Sequence, residues 1–307
     1  MRNIRSRVLF GLMKGFGMQP WWLLHVEASI IACFMAIVGG YRKKIVIENL
    51  HRVFESEKVG SISKGFYRNF CDITVESMKL FSASDKSVIK RVEYSTDGVT
   101  LMNRLKSEGR HVILVGAHMA NWEMYAMTFS RVLNHKTMAL YKKLSDPVMD
   151  EAMRESRQRM GLVMIEIEEC KKWMDNHVSK GGEPVAVGFG FDQSPHKANR
   201  AWWTTFLGVE TAVYFGAEQW AHKYDAAVVY GAVSRKGRGR YEVDFRLVEE
   251  NVKDLEKGHV MDRCLGELEE EVRKAPSDWL WSHKRWKHRR PEGMEMQPRR
   301  FERTLES

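Results

Sequence analysis

Apolar and polar positions divide the chain into stretches of different character. Residues 28–40 are almost wholly apolar, follow Trp21, Trp22, Leu23 and Leu24, and are flanked by Arg2, Arg5, Arg7 and Lys14 on one side and Arg42, Lys43 and Lys44 on the other. Tryptophans beside basic clusters mark a membrane–water boundary. A span needs about 20 apolar residues, and His25 and Glu27 interrupt this run. The pattern predicts a helical membrane anchor over 1–44, either crossing the bilayer or lying in its interface, in preference to a buried amphipathic pair. No small-residue cleavage site precedes the basic stop, which argues against a signal peptide.

Residues 45–92 read as helices, and over 61–80 Phe66, Phe70, Ile73 and Met78 recur at helical spacing. From about residue 95 the pattern changes. Strand-like apolar runs at 111–115, 162–167, 184–189, 226–232 and 241–247 alternate with helical stretches. Asp146-Pro147 is a helix start with proline in the first turn, and Gly161 is a stop. This alternation predicts an α/β domain over 45–292, a twisted central sheet flanked by helices on both faces. Residues 293–307, rich in Arg and Glu, read as a flexible tail.

Charge adds a partner class. Lys and Arg outnumber Asp and Glu 49 to 40, so the net charge of +9 favours anionic partners. The cysteines, Cys33, Cys71, Cys170 and Cys264, form no C-x-x-C pair, so neither a disulfide framework nor a Cys-rich zinc site is indicated. There is no H-E-x-x-H and no G-x-S-x-G, which leaves no basis for a metal site or a serine triad. Lys236-Gly237-Arg238-Gly239-Arg240 lies between two strand-like runs and reads as a hairpin turn rather than a phosphate loop.

The candidate chemistry begins where the run 111–115 passes through Gly116 and Ala117 into His118, with Glu123 five positions on. On a single helix the two would stand about 140° apart and could not meet. With His118 in the loop past the strand and Glu123 on the first helical turn, they can. The expectation is a dyad in which Glu123 orients the imidazole of a general base. It sits at a strand's carboxyl end, where open α/β sheets gather their ligands. Backbone N–H groups at the helix start are available there to an oxyanion. Tyr141, Lys142 and Arg157 follow, then Asp192-Gln193 at another strand end, Phe206-Leu207-Gly208, and Trp279 to Lys287 with His283, Lys284 and Arg285 between.

In this order the blocks resemble the late acyltransferases of lipid A biosynthesis, the lauroyl/myristoyl transferases of the lysophospholipid acyltransferase superfamily. The matching residues are Tyr41-Arg42 with Asn49-Leu50, Gly116-x-His118-x4-Glu123, Tyr141…Asp146-Pro147…Arg157, Asp192-Gln193, Phe206-Leu207-Gly208 and Trp281…His283-Lys284-Arg285…Lys287, spread over residues 20–291. Lys142 replaces the usual Arg, Asp146 the usual Asn, and Thr205 the first Phe of a Phe-Phe-Gly block. Arg and Lys are not equivalent where two bonds hold an anion, so these departures bear on the acceptor lipid.

The resemblance implies a glycerolipid acyltransferase-like fold and acyl transfer without cofactor or metal. The donor would be an acyl thioester, acyl–acyl carrier protein or acyl-coenzyme A, and the acceptor a lipid A precursor hydroxyl. His118 would be the base and Glu123 its orienter, with no covalent intermediate and so no Ser or Cys nucleophile. Asn121, Tyr141, Lys142, Arg157, Asp192, Gln193 and Arg285 would bind substrate, Arg157 meeting an anionic group and Asp192 positioning. It also implies the bacterial inner membrane, with the catalytic domain on the cytoplasmic side. The cluster at 283–290 suits an acidic carrier protein or a lipid headgroup. Nucleic acid is not expected despite Trp279, Trp281 and Trp286, since no binding motif accompanies the charge. The alternatives are another lipid acceptor (an aminolipid or lysophospholipid) and a non-catalytic lipid-binding homologue.

Overall fold

The change from helices to alternating strands and helices falls at Val92. The computed structural model describes residues 2–301. Before the change stand α1 (Arg2–Gly17), α2 (Trp21–Val38), α3 (Lys43–Val53), α4 (Ser56–Leu80) and α5 (Asp85–Ile89). After it come β1 (Val92–Tyr94), α6 (Thr96–Ser107), β2 (Val112–Gly116), α7 (Trp122–Thr128), β3 (Lys136–Tyr141), α8 (Pro147–Gln158), β4 (Val163–Glu166) and α9 (Ile167–Ser179). The remainder is β5 (Val185–Gly190), β6 (Trp202–Phe206), β7 (Val209–Val213), α10 (Gly216–Tyr224), β8 (Ala227–Gly237), β9 (Arg240–Glu249) and α11 (His259–Lys274).

Seven strands form one sheet in the order β1-β9-β8-β2-β5-β3-β4, with every neighbouring pair parallel except β8 and β9. Alternate side chains of β2 serve opposite cores, as strand geometry requires. Val112 and Leu114 pack with Met102 and Leu105 of α6 and Met124 and Met127 of α7. Ile113 and Val115 pack with Ala221 of α10 and Leu265 and Leu268 of α11. Each such side chain withdrawn from water contributes about 1.5–3 kcal/mol. The expected α/β sheet with helices on both faces is therefore present. So is the helix opened by Asp146, whose carboxylate accepts from Val148 N and Met149 N at 3.1 Å and so keeps the cap that Asn would provide.

Lys236 to Arg240 close the antiparallel hairpin of β8 and β9, as read from the sequence. Arg238 Nε there donates to the buried Asp72 of α4 at 3.0 Å. Phe206-Leu207-Gly208 also lies at a hairpin, between β6 and β7. Leu207 and Gly208 take φ +52° and +76°, the left-handed pair that a two-residue turn demands.

Two expectations change at the chain ends. Among the described residues no helix is long and apolar enough to cross a membrane, so a spanning anchor is not supported. α2 instead lies along α4 through Leu24, Ala28, Cys71 and Val75, and His25, which interrupts the apolar run, is bonded to the buried Glu76 at 2.8 Å. At the other end, residues 293–301 are not loose. Gln297 N donates to Trp203 O at 2.8 Å, and Arg299 is buried against Asp262 and Glu269 of α11. Residues 302–307 of the expected tail lie outside the described residues.

The first and last of the blocks that carry the resemblance meet. Asn49 Nδ2 donates to the carbonyls of Trp281 and His283, both at 2.8 Å. Arg42 Nη1 donates to Ser282 O at 3.2 Å. A buried carbonyl left unpaired costs about 1–3 kcal/mol, so this clasp fixes the C-terminal segment where the site needs it.

Candidate active site

β2 and β5 are neighbouring parallel strands whose last residues, Gly116 and Gly190, are paired. The register continues past the sheet, since Phe191 N donates to Gly116 O at 3.3 Å. Two positions beyond each glycine stand His118 and Asp192, which the register brings side by side. His118 Nδ1 lies 2.7 Å from Asp192 Oδ1, and the His118 backbone N–H donates to Oδ2 at 3.0 Å. Trp279 Nε1 donates to the same Oδ2 at 2.9 Å.

Trp279 arrives from the C-terminal segment through an isolated antiparallel bridge with Met119, and Ala120 N donates to Asp278 O at 2.9 Å. The loop between is strained: Ala120 is held at φ +44°, a conformation that costs a side-chain-bearing residue about 1–3 kcal/mol.

Asp192 is buried, and burial opposes its charge. The charge and two hydrogen bonds of His118, with the Trp279 bond, overcome this and hold the carboxyl down at about 2. Burial likewise works to lower His118. The charge and hydrogen bond of Asp192, with a smaller push from Glu123, outweigh burial and Arg157 and raise the imidazole above its ordinary 6.5. Asp192 is thus ionised at neutral pH and fixes the tautomer with its proton on Nδ1. Nε2 keeps the lone pair, and the amide of Gln193 lies 3.1 Å from it.

The expected His118–Glu123 dyad is not what the structure forms. Glu123, on the first turn of α7, is bonded to Arg157 of α8 at 2.8 and 2.6 Å from Nη2 and 3.2 Å from Nε. It also accepts from Trp122 Nε1 at 3.1 Å. The carboxylate in contact with the imidazole is Asp192, not Glu123. A bidentate guanidinium is the stronger partner for Glu123, and it leaves that carboxylate to act on His118 only through its field.

The other expected substrate contacts divide. Gln193 is at His118 Nε2, and Arg157 borders the site with Nη1 not taken by Glu123. Asn121 is fully buried: its Oδ1 caps α7 by accepting from Met124 N at 2.9 Å, and its Nδ2 donates to Glu76 at 2.6 Å. Both ends of its amide are committed, which makes it a structural residue of the loop. Tyr141 ends β3 beneath the Arg154 guanidinium, and Lys142 is exposed in the loop that follows.

Arg285 is not a surface cation. It is 2% exposed, donates from Nη1 to Ala212 O at 2.6 Å, and lies over the Phe206 ring. Burial pulls it down to about 10, against the opposing pull of Asp192. His283 accepts from Ser194 N at 2.9 Å, and burial lowers it to about 4. The exposed cations of this cluster are Lys284, Lys287 and Arg289. Trp279 and Trp281 are interior and offer no stacking platform.

Beside the Glu123–Arg157 pair lies a cavity of about 260 Å³ between α1, α4, α7 and α8. Met13, Phe70, Met78, Phe81, Met127 and Met153 line it, and Trp122, Glu123 and Arg157 form part of its wall. Its methionine and aromatic side chains, with Ile73 and Leu80, suit a flexible apolar ligand.

A histidine paired with a buried carboxylate at 2.7 Å, near an apolar cavity, is an arrangement suited to proton transfer on a substrate with an apolar part. The chain belongs to the bacterial lipid A biosynthesis acyltransferases, whose family model matches residues 8–288. It is an acyltransferase, similar to the lipid A biosynthesis lauroyltransferase of Escherichia coli (strain K12), with 23% identity over 293 residues that cover 94% of this chain and 87% of the relative.

Proposed function

We propose that the enzyme moves a fatty acyl chain from an acyl thioester, carried by acyl carrier protein in preference to coenzyme A, to a hydroxyl of a lipid A precursor. His118 is the general base and Asp192 its orienting carboxylate. The observation that carries this reading is the His118–Asp192 bond at 2.7 Å, which leaves Nε2 as the only proton acceptor of the ring. As the acceptor hydroxyl attacks the thioester carbonyl, Nε2 takes its proton and the new C–O bond forms. The C–S bond then breaks, and the proton passes to the departing thiolate. Asp192 stabilises the imidazolium between these steps, the role of the carboxylate in a Ser-His-Asp triad.

The acyl tail lies in the cavity walled by Met78 and Met127. Arg157, gripped by Glu123, offers Nη1 to an anionic group of donor or acceptor. The enzyme works at the cytoplasmic face of the bacterial inner membrane, with its N-terminal helices in the interface. Exposed stripes support this: Ile4, Val8 and Leu12 on α1, and Trp22, Val26, Ile30 and Phe34 on α2, each at four-residue intervals on one helix face. Such unpaired apolar stripes with Arg5, Arg7 and Lys14 nearby suit an anionic headgroup layer.

The test is His118→Ala in a thioester-dependent acylation assay, with lipid mass spectrometry of cells lacking the protein. Loss of transfer, and loss of one secondary acyl chain from lipid A, are expected. Transfer by the variant as fast as by the parent overturns the base assignment. An unchanged lipid A beside an altered aminolipid moves the acceptor to that class.

A further inference from the structure

The partner of the base on its working side is Gln193. With the Nδ1 proton directed to Asp192, Nε2 of the neutral imidazole carries a lone pair, and only the N–H end of an amide can bond it. Gln193 Nε2 stands 3.1 Å away. The residues on both sides of Gln193 are held. Asp192 is buried under three hydrogen bonds, and Ser194 is buried with its N–H donated to His283. Gln193 itself is only half-buried, so its side chain can leave the base while its main chain stays in place.

We propose that Gln193 is a positioning residue that caps the base until the acceptor hydroxyl displaces it, and so favours acyl transfer over hydrolysis. The inference rests on the reading of His118 as the base for thioester attack. An uncapped Nε2 facing water would take a proton from water. The hydroxide equivalent would add to the thioester carbonyl, the C–S bond would break, and the products would be a fatty acid and a thiol. With the amide in place, a water molecule must break one hydrogen bond to the base and recovers little else. A lipid acceptor held by the rest of the site brings its hydroxyl to Nε2 with binding energy to spare, which displaces the amide. One hydrogen bond of ordinary net strength gives about a two- to tenfold bias.

The experiment compares the full-length parent with Gln193→Met and Gln193→Ala, using dodecanoyl–acyl carrier protein as the thioester. Thiol release is followed without acceptor, and product formation with a lipid A precursor. Both variants are expected to release thiol about two- to tenfold faster than the parent when acceptor is absent, with a lower ratio of transfer to hydrolysis. The acid limb of the hydrolysis profile is expected to move to higher pH, because the amide N–H favours the neutral imidazole and its removal lets the proton bind more tightly. Hydrolysis that is unchanged, or that falls in step with transfer, overturns the cap and leaves Gln193 an ordinary substrate contact. Faster hydrolysis with an unmoved acid limb also overturns it, since exclusion of water by bulk alone gives that result. His118→Ala run alongside separates the two levels: if it transfers normally, the base reading fails, whereas an inactive His118→Ala beside unaltered Gln193 variants sinks only the cap.

Discussion

Gly116 and Gly190 face each other at the ends of two parallel strands, and that pairing is what sets the imidazole of His118 on the carboxylate of Asp192. The His118–Asp192 pair is therefore assembled by sheet register. A carboxylate supplied in this way is hard to replace from a neighbouring position, because its backbone is fixed by the strand behind it.

Asp192→Asn keeps the size of the side chain and removes its charge. Turnover is expected to fall by about 10²- to 10⁴-fold, since the amide no longer enforces the Nδ1–H tautomer. The sign for pH follows from the pair. Asp192 raises His118 above 6.5, and the base works only when neutral, so parent activity rises with pH through a value above 6.5. Without the carboxylate, the acid limb of the residual activity moves to lower pH. A kcat/KM profile of the two proteins checks both statements.

Glu123 and Arg157 act as one unit. Glu123→Ala and Arg157→Ala are each expected to lower kcat/KM, and the double variant to lose no more than the worse single one, with a coupling of about 1–3 kcal/mol in a double-mutant cycle. Glu123→Gln is expected to move the acid limb less than Asp192→Asn, because Glu123 reaches His118 only through space. A limb that moves further with Glu123→Gln would return the orienting role to Glu123.

Filling the cavity is expected to change the product. Met127 lines it and is itself fully buried. Met127→Phe places a stiff ring where a flexible thioether stood. Product mass spectra with a mixture of acyl donors are expected to shift towards shorter chains, while turnover with the shortest donor is largely kept. An unchanged chain-length profile would remove the acyl tail from this cavity.

Stability carries its own pH signature. Glu271 on α11 accepts from Tyr230 Oη at 2.5 Å, and burial pushes it up to about 7. Between pH 4.5 and 7 the unfolded chain gives up this proton and the folded chain keeps it, so stability falls as pH rises across that window. Glu271→Gln lacks the penalty. Its melting temperature relative to the parent is expected to climb from pH 5 to pH 8, by an amount equivalent to about 1–3 kcal/mol. Parallel melting curves of the two proteins across that range would refute the assignment.

Much of this architecture is written in the local pattern. β2, β5 and β8 are buried on both faces, so they read as continuous apolar runs. β3 does not: it starts at Lys136 and holds Met138, Ala139 and Leu140, which are good helix formers, and only its pairing with β4 and β5 makes it a strand. The site shows the same division. His118 is legible from its place after a strand, but its carboxylate lies 74 residues away in sequence, and local spacing points instead to Glu123. The usable clue was symmetry, because Asp192 follows the glycine that ends its strand at the same distance as His118 follows its own. Arg285 misled for another reason: in a run of cations, residue type does not reveal which one turns inward. The cavity methionines gave no signal, since Met at helical spacing reads as ordinary core.

The clasp between Asn49 and the carbonyls of Trp281 and His283 has a bearing on synthesis. Trp279 braces Asp192, and it is carried in by a segment that follows every strand of the sheet in the chain. The nascent chain holds His118, Asp192 and the cavity walls before that segment is made, without the Trp279 bond. A polypeptide cut short before Trp279 thus holds every strand of the sheet and lacks the bond that braces Asp192.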